Sequence, residues 1–234
     1  MARQQPEQRQ PPAAWLRLRY TKLGPARFTS ARDVARLIER AIKRAGVPVA
    51  YSSGFSPHQR VSYAFPAPTG AASWAEYVLV GLTIMGDAQA LAAALNAELP
   101  SGVRIEAADM TTQRHLPAQL EASTWRIDWP GAPMGQTDVL RDAVQAFMAA
   151  KTVMIDRRAK SQTSQQDVRG AVVRMDVEAD ALTVVLRQTE PLIRPTDVLD
   201  GLATWLPGLP SWGRGMLTRQ AQGVILAGAV TNLG

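Results

Sequence analysis

The sequence predicts an α+β protein that consists of two tandem ferredoxin-like halves with antiparallel sheets. The order strand, helix, strand, strand, helix, strand can be read twice along the 234 residues, and that order is typical of the ferredoxin-like fold. The strand segments either alternate apolar and polar residues or are rich in β-branched residues, as strands are. We expect a disordered tail at 1–13, a first half at 14–115 and a second half at 120–222.

The first predicted strand begins at Trp15. Apolar Leu16 and Leu18 alternate with Arg17 and Arg19, so one face of the strand is apolar and the other is basic. The residues before Trp15 are mainly Gln, Pro and Arg without an apolar period. Because such a segment buries too little surface to repay its ordering entropy, we expect order to begin at this strand.

A basic amphipathic helix follows. Ser30 predicts its N-cap, Asp33 completes a capping box, and Gly46 before Pro48 predicts its end. One face is apolar and consists of Val34, Leu37, Ile38, Ala41, Ile42 and Ala45. The other face is basic and carries Arg32, Arg36, Arg40, Lys43 and Arg44. The apolar face is expected to cover the sheet, which leaves the basic face in solvent.

The remaining elements complete the repeat. In the first half they are a short apolar piece at 47–51, a loop at 52–60, strands within 61–70 and 75–84, a helix from Asp87 to Pro100, and a strand at 103–110. A polar connector follows near Gln113 to Glu121. In the second half they are a strand around Trp125, a helix at 137–150, a strand at 153–158, a long flexible loop at 157–170, a hairpin at 171–188, a helix capped by Thr196, and a strand from Met216.

Positive charge is concentrated near the start of the chain. Residues 1–60 contain 12 Lys or Arg against 3 Asp or Glu, a net charge of +9, and the remainder contains 14 against 17, a net charge of −3. A local excess of positive charge attracts polyanions, of which nucleic acid is the usual one inside cells. The alternative is an ordinary solvated surface in a protein with high Arg usage.

Composition excludes several classes of function. The chain has no Cys, so it cannot form a disulfide, a Cys zinc site or a cysteine-ligated iron–sulfur cluster. Its two His, His58 and His115, are too few for a His-rich metal centre, and we predict no cofactor. The longest apolar stretch, near 77–85, is shorter than a membrane span, and there is no secretory signal. The sequence is therefore expected to be soluble and cytoplasmic, with no membrane partner.

The loop at 52–60 is the most suggestive segment for binding. Phe55 offers a stacking surface, and His58 and Arg60 are suited to contact phosphate, a combination that fits single-stranded RNA. The alternative is a plain strand connection in which Phe55 fills the edge of the core. His58 is also considered as a general base, although the sequence places no partner beside it.

Two further features have an ordinary explanation beside a functional one. The second basic run, at Arg157, Arg158 and Lys160, suggests a loop that folds over RNA or a solvated hairpin loop. Trp205 and Trp212 suggest either core residues or a surface for a partner protein, with core as the default. No P-loop or dinucleotide fingerprint is present, so ATP binding is not expected.

The segment from Arg19 to Val80 resembles the bacterial radical-SAM-linked domain of unknown function. The matching features are Gly24, Arg27 and Phe28 before the helix, Asp33 within it, the run AGVPVAYSSGFSPH at 45–58, Glu76 with Tyr77, and the later IRPTDVL at 193–199. The sequence departs from the family pattern at Ala31, where a His is usual, and at Gln59 and Arg60, where Pro-Lys is usual. The missing His weakens a catalytic interpretation, whereas Arg60 preserves the positive charge.

The resemblance implies a separate radical SAM protein as partner, which would supply chemistry that a chain without Cys cannot. We therefore interpret the chain as a non-catalytic accessory module that binds RNA or ribonucleoprotein. Its expected nucleic-acid-binding residues are Arg27, Arg32, Arg36, Lys43, Arg44, Phe55, His58 and Arg60. The alternatives are an RNA-directed enzyme that uses His58 and a scaffold that docks the radical SAM partner.

Overall fold

The computed structural model describes residues 10–130, 136–159, 162–179, 181–213 and 215–233. Strands and helices in these ranges form two compact units, one from Met1–Gln119 with Leu233–Gly234 and the other from Leu120–Asn232. Of the tail expected at 1–13, positions 1–9 lie outside the described residues. The sheets are antiparallel in their described pairings and are accompanied by four helices, which confirms the mixed α+β class.

Among its described residues, the first unit has four strands and two helices. They are β1 (Ala14–Lys22), α1 (Ala31–Arg44), β2 (Val61–Ala64), β3 (Ala72–Leu82), α2 (Ala88–Glu98) and β4 (Val103–Thr111). Strand β1 lies between β4 and β3, and β2 pairs with β3. The order across the sheet is therefore β4-β1-β3-β2. Leu18 of β1 is paired with Val78 on one side and Ala108 on the other.

In the core of the first unit, the apolar faces that the sequence predicts for β1 and α1 pack against each other. Leu16, Leu18 and Tyr20 of β1 are buried, whereas Arg17 and Arg19 are only partly buried. The helix residues packed into the same core are Val34, Ile38, Ala41 and Ile42 of α1 and Ala92 and Leu95 of α2. The amphipathic pattern of α1 is thus confirmed, and its basic face lies in solvent.

In the part of the second unit that the structure describes there are seven strands and two helices. They are β5 (Ala122–Asp128), α3 (Thr137–Ala149), β6 (Met154–Ala159), β7 (Gln162–Asp167), β8 (Val172–Glu178), β9 (Ala181–Arg187), α4 (Pro195–Leu202), β10 (Met216–Leu226) and β11 (Ala229–Asn232). Strand β5 lies between β10 and β9, β8 pairs with β9, and β11 pairs with β10. Strands β6 and β7 form a separate two-stranded ribbon. No helix in the described ranges is long and apolar enough to cross a membrane.

Two local predictions for the second unit are wrong. The segment expected to be a long flexible loop at 157–170 forms most of the β6–β7 ribbon, with Arg157 paired to Ser164. Helix α4 is capped by Arg194 rather than Thr196, because Pro195 occupies the first helical position. The Asp197 side chain closes this end, since its Oδ2 accepts the main-chain N–H of Arg194 at 2.8 Å.

Candidate nucleic-acid interface

Helix α1 presents a row of basic side chains to solvent. Ser30 fixes the start of the helix, because its hydroxyl accepts the main-chain N–H of Asp33 at 3.2 Å. Since the apolar stripe faces the core, residues on the opposite side point outward. The outward cations follow at intervals of three or four residues, all of them exposed, and are Arg32, Arg36, Arg40 and Lys43. We call these four residues the α1 basic row; at ~1.5 Å per residue it spans about 16 Å.

Acidic neighbours hold two of the predicted arginines. Arg36 Nη1 lies 3.3 Å from Asp33 Oδ1, and Arg44 Nε lies 2.6 Å from Glu98 Oε2 of α2. The other cations of the row have no side-chain hydrogen bond or ion pair within the part of the chain that the structure describes; these are Arg32, Arg40 and Lys43. Their positive charge is available to an external anion.

Arg27 lies in a single 3₁₀ turn, Gly24–Phe28, immediately before α1. Its Nε donates to the Gly70 carbonyl at 2.6 Å, and its guanidinium carbon lies 5.5 Å from the centre of the Phe28 ring. Phe28 is 69% exposed. Phe28 was not among the expected site residues, although an aromatic residue two positions before the N-cap and outside the apolar stripe is a signal that the sequence contains.

Two buried polar side chains support the segment that holds Arg27. Lys22, 2% exposed, donates from Nζ to the carbonyls of Ala67 at 3.1 Å and Pro68 at 3.0 Å. Glu76, also buried, accepts the main-chain N–H of Ala67 at 3.0 Å. These bonds attach the chain around Ala67 to the sheet, and the same loop carries the Gly70 carbonyl. Lys22 was not predicted as a structural residue, although a cation on the otherwise apolar face of β1 is visible in the sequence.

The loop between α1 and β2 places Phe55 in solvent. The ring is 72% exposed, so the alternative in which Phe55 fills the edge of the core is wrong. Ser52 Oγ lies 3.0 Å from His58 Nδ1 and accepts the main-chain N–H of His58 at 3.1 Å. His58 therefore has a hydroxyl partner that the sequence spacing did not reveal.

Arg60 is anchored through its main chain. Its N–H donates to the Ala50 carbonyl, and its carbonyl accepts from the Gly81 N–H, both at 2.8 Å. Its Nε and the Gln59 Oε1 are buried without a hydrogen-bond partner among the described residues, which is unusual for buried polar atoms. These are the two positions at which the sequence departs from the Pro-Lys of the family it resembles.

The predicted site residues thus occupy three adjoining elements of the first unit. Arg27 precedes α1 and the α1 basic row follows the exposed side of the helix. The loop with Phe55 and His58 comes after the C-terminal end of α1, where the Val47 N–H donates to the Ile42 carbonyl. Of the predicted arginines, Arg36 and Arg44 are ion-paired. The structure adds Arg40 and Phe28 to the candidate surface.

A partly buried tyrosine ties α1 to the sheet. The Tyr63 hydroxyl of β2 donates to the Ala35 carbonyl of α1 at 3.2 Å. Burial raises the pKa of Tyr63 well above its ordinary value, and the negative charge of Glu39 raises it further. The helix that carries the basic row is therefore held by a neutral, hydrogen-bonded hydroxyl.

The second unit contains a cleft of about 610 Å³ between β6, α4 and the turn at 209–213, a volume typical of small-molecule sites. Arg157 donates to the Leu192 carbonyl at 3.0 Å and lies 3.5 Å from the Oδ2 of Asp197, which is 7% exposed. Arg157 was expected at the junction of a strand at 153–158 and a loop at 157–170, and this cleft was not predicted. The available signal was the segment IRPTDVL, part of which lines it.

The other candidates contribute little to this interface. Within the described ranges no three His, Cys, Asp or Glu are grouped to hold a metal ion, and neither His58 nor His115 belongs to such a group. Trp205 is 37% exposed and lies edge-on to Phe147 with ring centres 6.0 Å apart. Lys160 and the side chains of Arg158 and Trp212 lie outside the described residues.

Comparison with known proteins places the chain in a bacterial family. No curated protein matches it. A solved structure of an unknown protein from Galdieria sulphuraria is 11% identical over 91% of this chain and 98% of that chain, with a TM-score of 0.25. The model of a family described as uncharacterised protein conserved in bacteria (DUF2344) matches residues 15–195. Since this match covers more than half of the chain, the protein belongs to the DUF2344 family of bacterial proteins.

Proposed function

We propose that this protein is a non-catalytic accessory module that binds RNA or ribonucleoprotein in the cytoplasm and works with a separate radical SAM enzyme. The observation that carries the RNA part is the α1 basic row. Three of its four cations, Arg32, Arg40 and Lys43, have no acidic partner within the described residues. An exposed row of uncompensated cations on one helix face suits a phosphate backbone.

The same proposal includes a fold assignment for both units. The elements of the first unit follow the order strand, helix, strand, strand, helix, strand, and its sheet order is β4-β1-β3-β2. In the second unit, β5, β8, β9 and β10 take the corresponding positions, with the β6–β7 ribbon inserted after α3. We infer two ferredoxin-like units from these matching orders.

The number of unpaired cations sets the expected salt dependence. Arg60 adds a fourth cation, because its side chain has no acidic partner among the described residues. If each of the four neutralises one phosphate of a single strand, the slope of log affinity against log salt is about −3. Affinity then falls about fifty-fold for a fourfold increase in salt.

The test is a filter-binding titration with bulk RNA at several salt concentrations. The variant is the triple substitution Arg32→Ala, Arg40→Ala and Lys43→Ala. The matched control is Arg104→Ala, Arg141→Ala and Arg174→Ala, three exposed arginines that each have an acidic partner. Both variants lose three positive charges, so a difference between them reports the position of the charge.

We expect the basic-row variant to bind RNA weakly with a slope near −1, and the control to bind like the unchanged protein with a slope near −3. Equal losses of RNA affinity in the two variants would mean that RNA binding depends only on the net charge of the protein and not on the α1 basic row. No retention of RNA by the unchanged protein at low salt would reject the proposal.

The radical SAM part rests on the resemblance of residues 19–80 and on the composition. The 234 residues contain no Cys, so a cysteine-ligated iron–sulfur cluster would have to be held by residues outside them. We expect a cluster-bearing protein to co-purify with the tagged chain from its native bacterium. Co-purification that survives both nuclease and high salt favours the scaffold alternative, in which an apolar surface such as that of Trp205 makes the contact. Co-purification that nuclease abolishes favours contact through RNA.

A second candidate function is RNA cleavage or modification by His58. The contact of Ser52 Oγ with His58 Nδ1 at 3.0 Å favours it, because a general base often lies beside a hydroxyl. Replacing His58 with Ala separates the two candidates. A binding module keeps most of its RNA affinity and has no turnover to lose, whereas an enzyme loses turnover of RNA that the unchanged protein converts.

A further inference from the structure

We infer that the preferred ligand of the candidate interface is single-stranded RNA, with Phe28 and Phe55 each stacking on an unpaired base. This inference rests on the proposed function and narrows its substrate class. It depends on the positions of two aromatic rings that the fold itself does not require. The RNA backbone would follow the α1 basic row between them.

Both rings lie in solvent although each is large and apolar. Phe28 is 69% exposed and Phe55 is 72% exposed, whereas Phe147 of the second unit is fully buried. Neither exposed ring contributes to the core of the first unit, which is built from aliphatic residues, alanines and tyrosines. Exposed apolar surface that does not serve the fold often marks a binding site.

The surroundings of each ring suit a nucleotide. The guanidinium of Arg27 lies 5.5 Å from the centre of the Phe28 ring, so a base stacked there would have a cation close to its phosphate. Phe55 lies at the outer end of a loop whose base is closed by the Ser52 N–H, which donates to the His58 carbonyl at 2.9 Å. This closure limits the entropy lost when the ring is immobilised against a ligand.

In the sequence the two rings flank the basic row. Phe28 precedes the N-cap Ser30 by two residues, and the loop with Phe55 follows the C-terminal end of α1. We therefore place the RNA backbone along the row, which is about 16 Å long, with one ring beyond each end. This arrangement combines a cationic track with stacking surfaces, as in proteins that bind single strands without strong sequence preference.

A duplex offers no partner to these rings. Its bases are already stacked on one another and their faces are covered, so an aromatic side chain can stack only on an unpaired or splayed base. The basic row by itself attracts either form of RNA. Preference for a single strand must therefore come from the two rings.

The experiment compares two fluorescent RNAs, a uridine oligonucleotide and the duplex that it forms with its adenosine complement. Fluorescence anisotropy measures the affinity of each RNA for the unchanged protein and for Phe28→Ala, Phe55→Ala and the double variant. Leu226→Ala is the control, because Leu226 is an exposed apolar residue of the second unit at 57% exposure. Phe55→Tyr retains a stacking ring and serves as the conservative variant.

We expect each Ala variant to lose about tenfold in affinity for the single strand and to keep its affinity for the duplex. Phe55→Tyr and Leu226→Ala should bind the single strand like the unchanged protein. Circular dichroism of each variant confirms that it is folded. If the duplex binds as well as the single strand and the Phe variants lose nothing, the single-strand inference fails while RNA binding stands. If neither RNA binds, the proposed function itself fails.

Discussion

Ser52 and His58 close their loop on each other through three contacts. The Ser52 hydroxyl lies 3.0 Å from His58 Nδ1 and accepts the His58 main-chain N–H at 3.1 Å. The Ser52 main-chain N–H donates to the His58 carbonyl at 2.9 Å. Two of the three contacts need a hydroxyl at position 52, so the shape of the loop that displays Phe55 depends on this one side chain.

Replacing Ser52 with Ala is expected to loosen the loop without unfolding the protein. The lost contacts lie at the surface, so the free energy of unfolding should fall by about 1 kcal/mol or less. Hydrogen exchange of the amides at 52–60 should become faster, because the His58 N–H loses its acceptor. Ser52→Thr keeps a hydroxyl and is the control. Unchanged exchange in Ser52→Ala would show that the main-chain bond alone holds the loop.

The same substitution is expected to destabilise the protein strongly at Lys22 and hardly at all at Lys43. Lys22→Met removes two charge-assisted hydrogen bonds from a buried site, so it should lower the free energy of unfolding by about 3 kcal/mol. Lys43→Met changes an exposed side chain and should alter stability by less than about 0.5 kcal/mol. Urea unfolding measures both values. A Lys22→Met variant as stable as Lys43→Met would contradict the structural role of Lys22.

Gly201 of α4 is predicted to tolerate no side chain. A Cβ atom there would lie 2.9 Å from Val153 Cγ1 and from Val168 Cγ2, and 3.3 Å from Phe147 Cε2. Overpacking of this kind costs about 1–3 kcal/mol, against a gain of about 1 kcal/mol from the helix propensity of Ala. We expect Gly201→Ala to lower the thermal midpoint. Gly208→Ala is the control, because its Cβ would meet nothing within 4 Å, and equal midpoints in the two variants would exclude the clash.

Alkaline destabilisation is expected from Tyr63 and Tyr77, whose pKa values are both raised in the folded protein. Burial raises the pKa of Tyr77 from 10.0 to about 12, although a hydrogen bond with Leu233 and the charges of Arg19 and Arg17 oppose the rise. A pKa that is higher in the folded state stabilises the fold fully below pH 10.0, and this contribution is lost as the pH rises to about 12. The pKa of Tyr63 is raised in the same direction.

The measurement is the midpoint of urea unfolding between neutral pH and pH 12. The unchanged protein should lose stability above pH 10, and Tyr77→Phe should show a shallower loss because the Tyr77 hydroxyl, whose pKa is raised, is absent. At neutral pH the same variant should be about 1 kcal/mol less stable, since it loses its hydrogen bonds with Leu233. A loss above pH 10 that is equally steep in Tyr77→Phe would contradict this assignment.

The elements with a strong apolar period were predictable from the sequence. Helix α1 begins after Ser30 and buries the predicted Val34, Ile38, Ala41 and Ile42. It was predictable because its N-cap residue and its apolar stripe indicate the same helix. Helix α2 likewise begins after the Asp87 cap. In both cases a local hydrogen bond and the buried face specify the same boundaries, so one sequence is enough to find them.

Only the first strand of the β6–β7 ribbon could be predicted in this way, because the strand expected at 153–158 corresponds to β6 whereas β7 was expected to be a loop. Its second strand has the sequence QTSQQD, in which no apolar residue alternates, and its stability depends on backbone pairing with β6. The cap of α4 was misplaced for a related reason. Asp197 closes the helix by accepting the Arg194 N–H, so the capping side chain lies within the first turn rather than before it.

The candidate interface was predictable in its helix and less so in its loop. Spacing alone places Arg32, Arg36 and Lys43 on one face of α1. It does not show that Arg44 bonds Glu98, since these residues meet only when α2 packs beside α1. The exposure of Phe55 was equally hidden, because an aromatic residue between two strands has the same local sequence whether it lies inside or outside the core.

The bond between Tyr77 and Leu233 bears on how the protein can be divided. Leu233 groups with the first unit, which otherwise ends at Gln119. Stopping translation at Gln119 would deprive the Tyr77 hydroxyl of its main-chain partners. A fragment that reproduces the first unit therefore also needs Leu233, joined to Gln119 through a short linker.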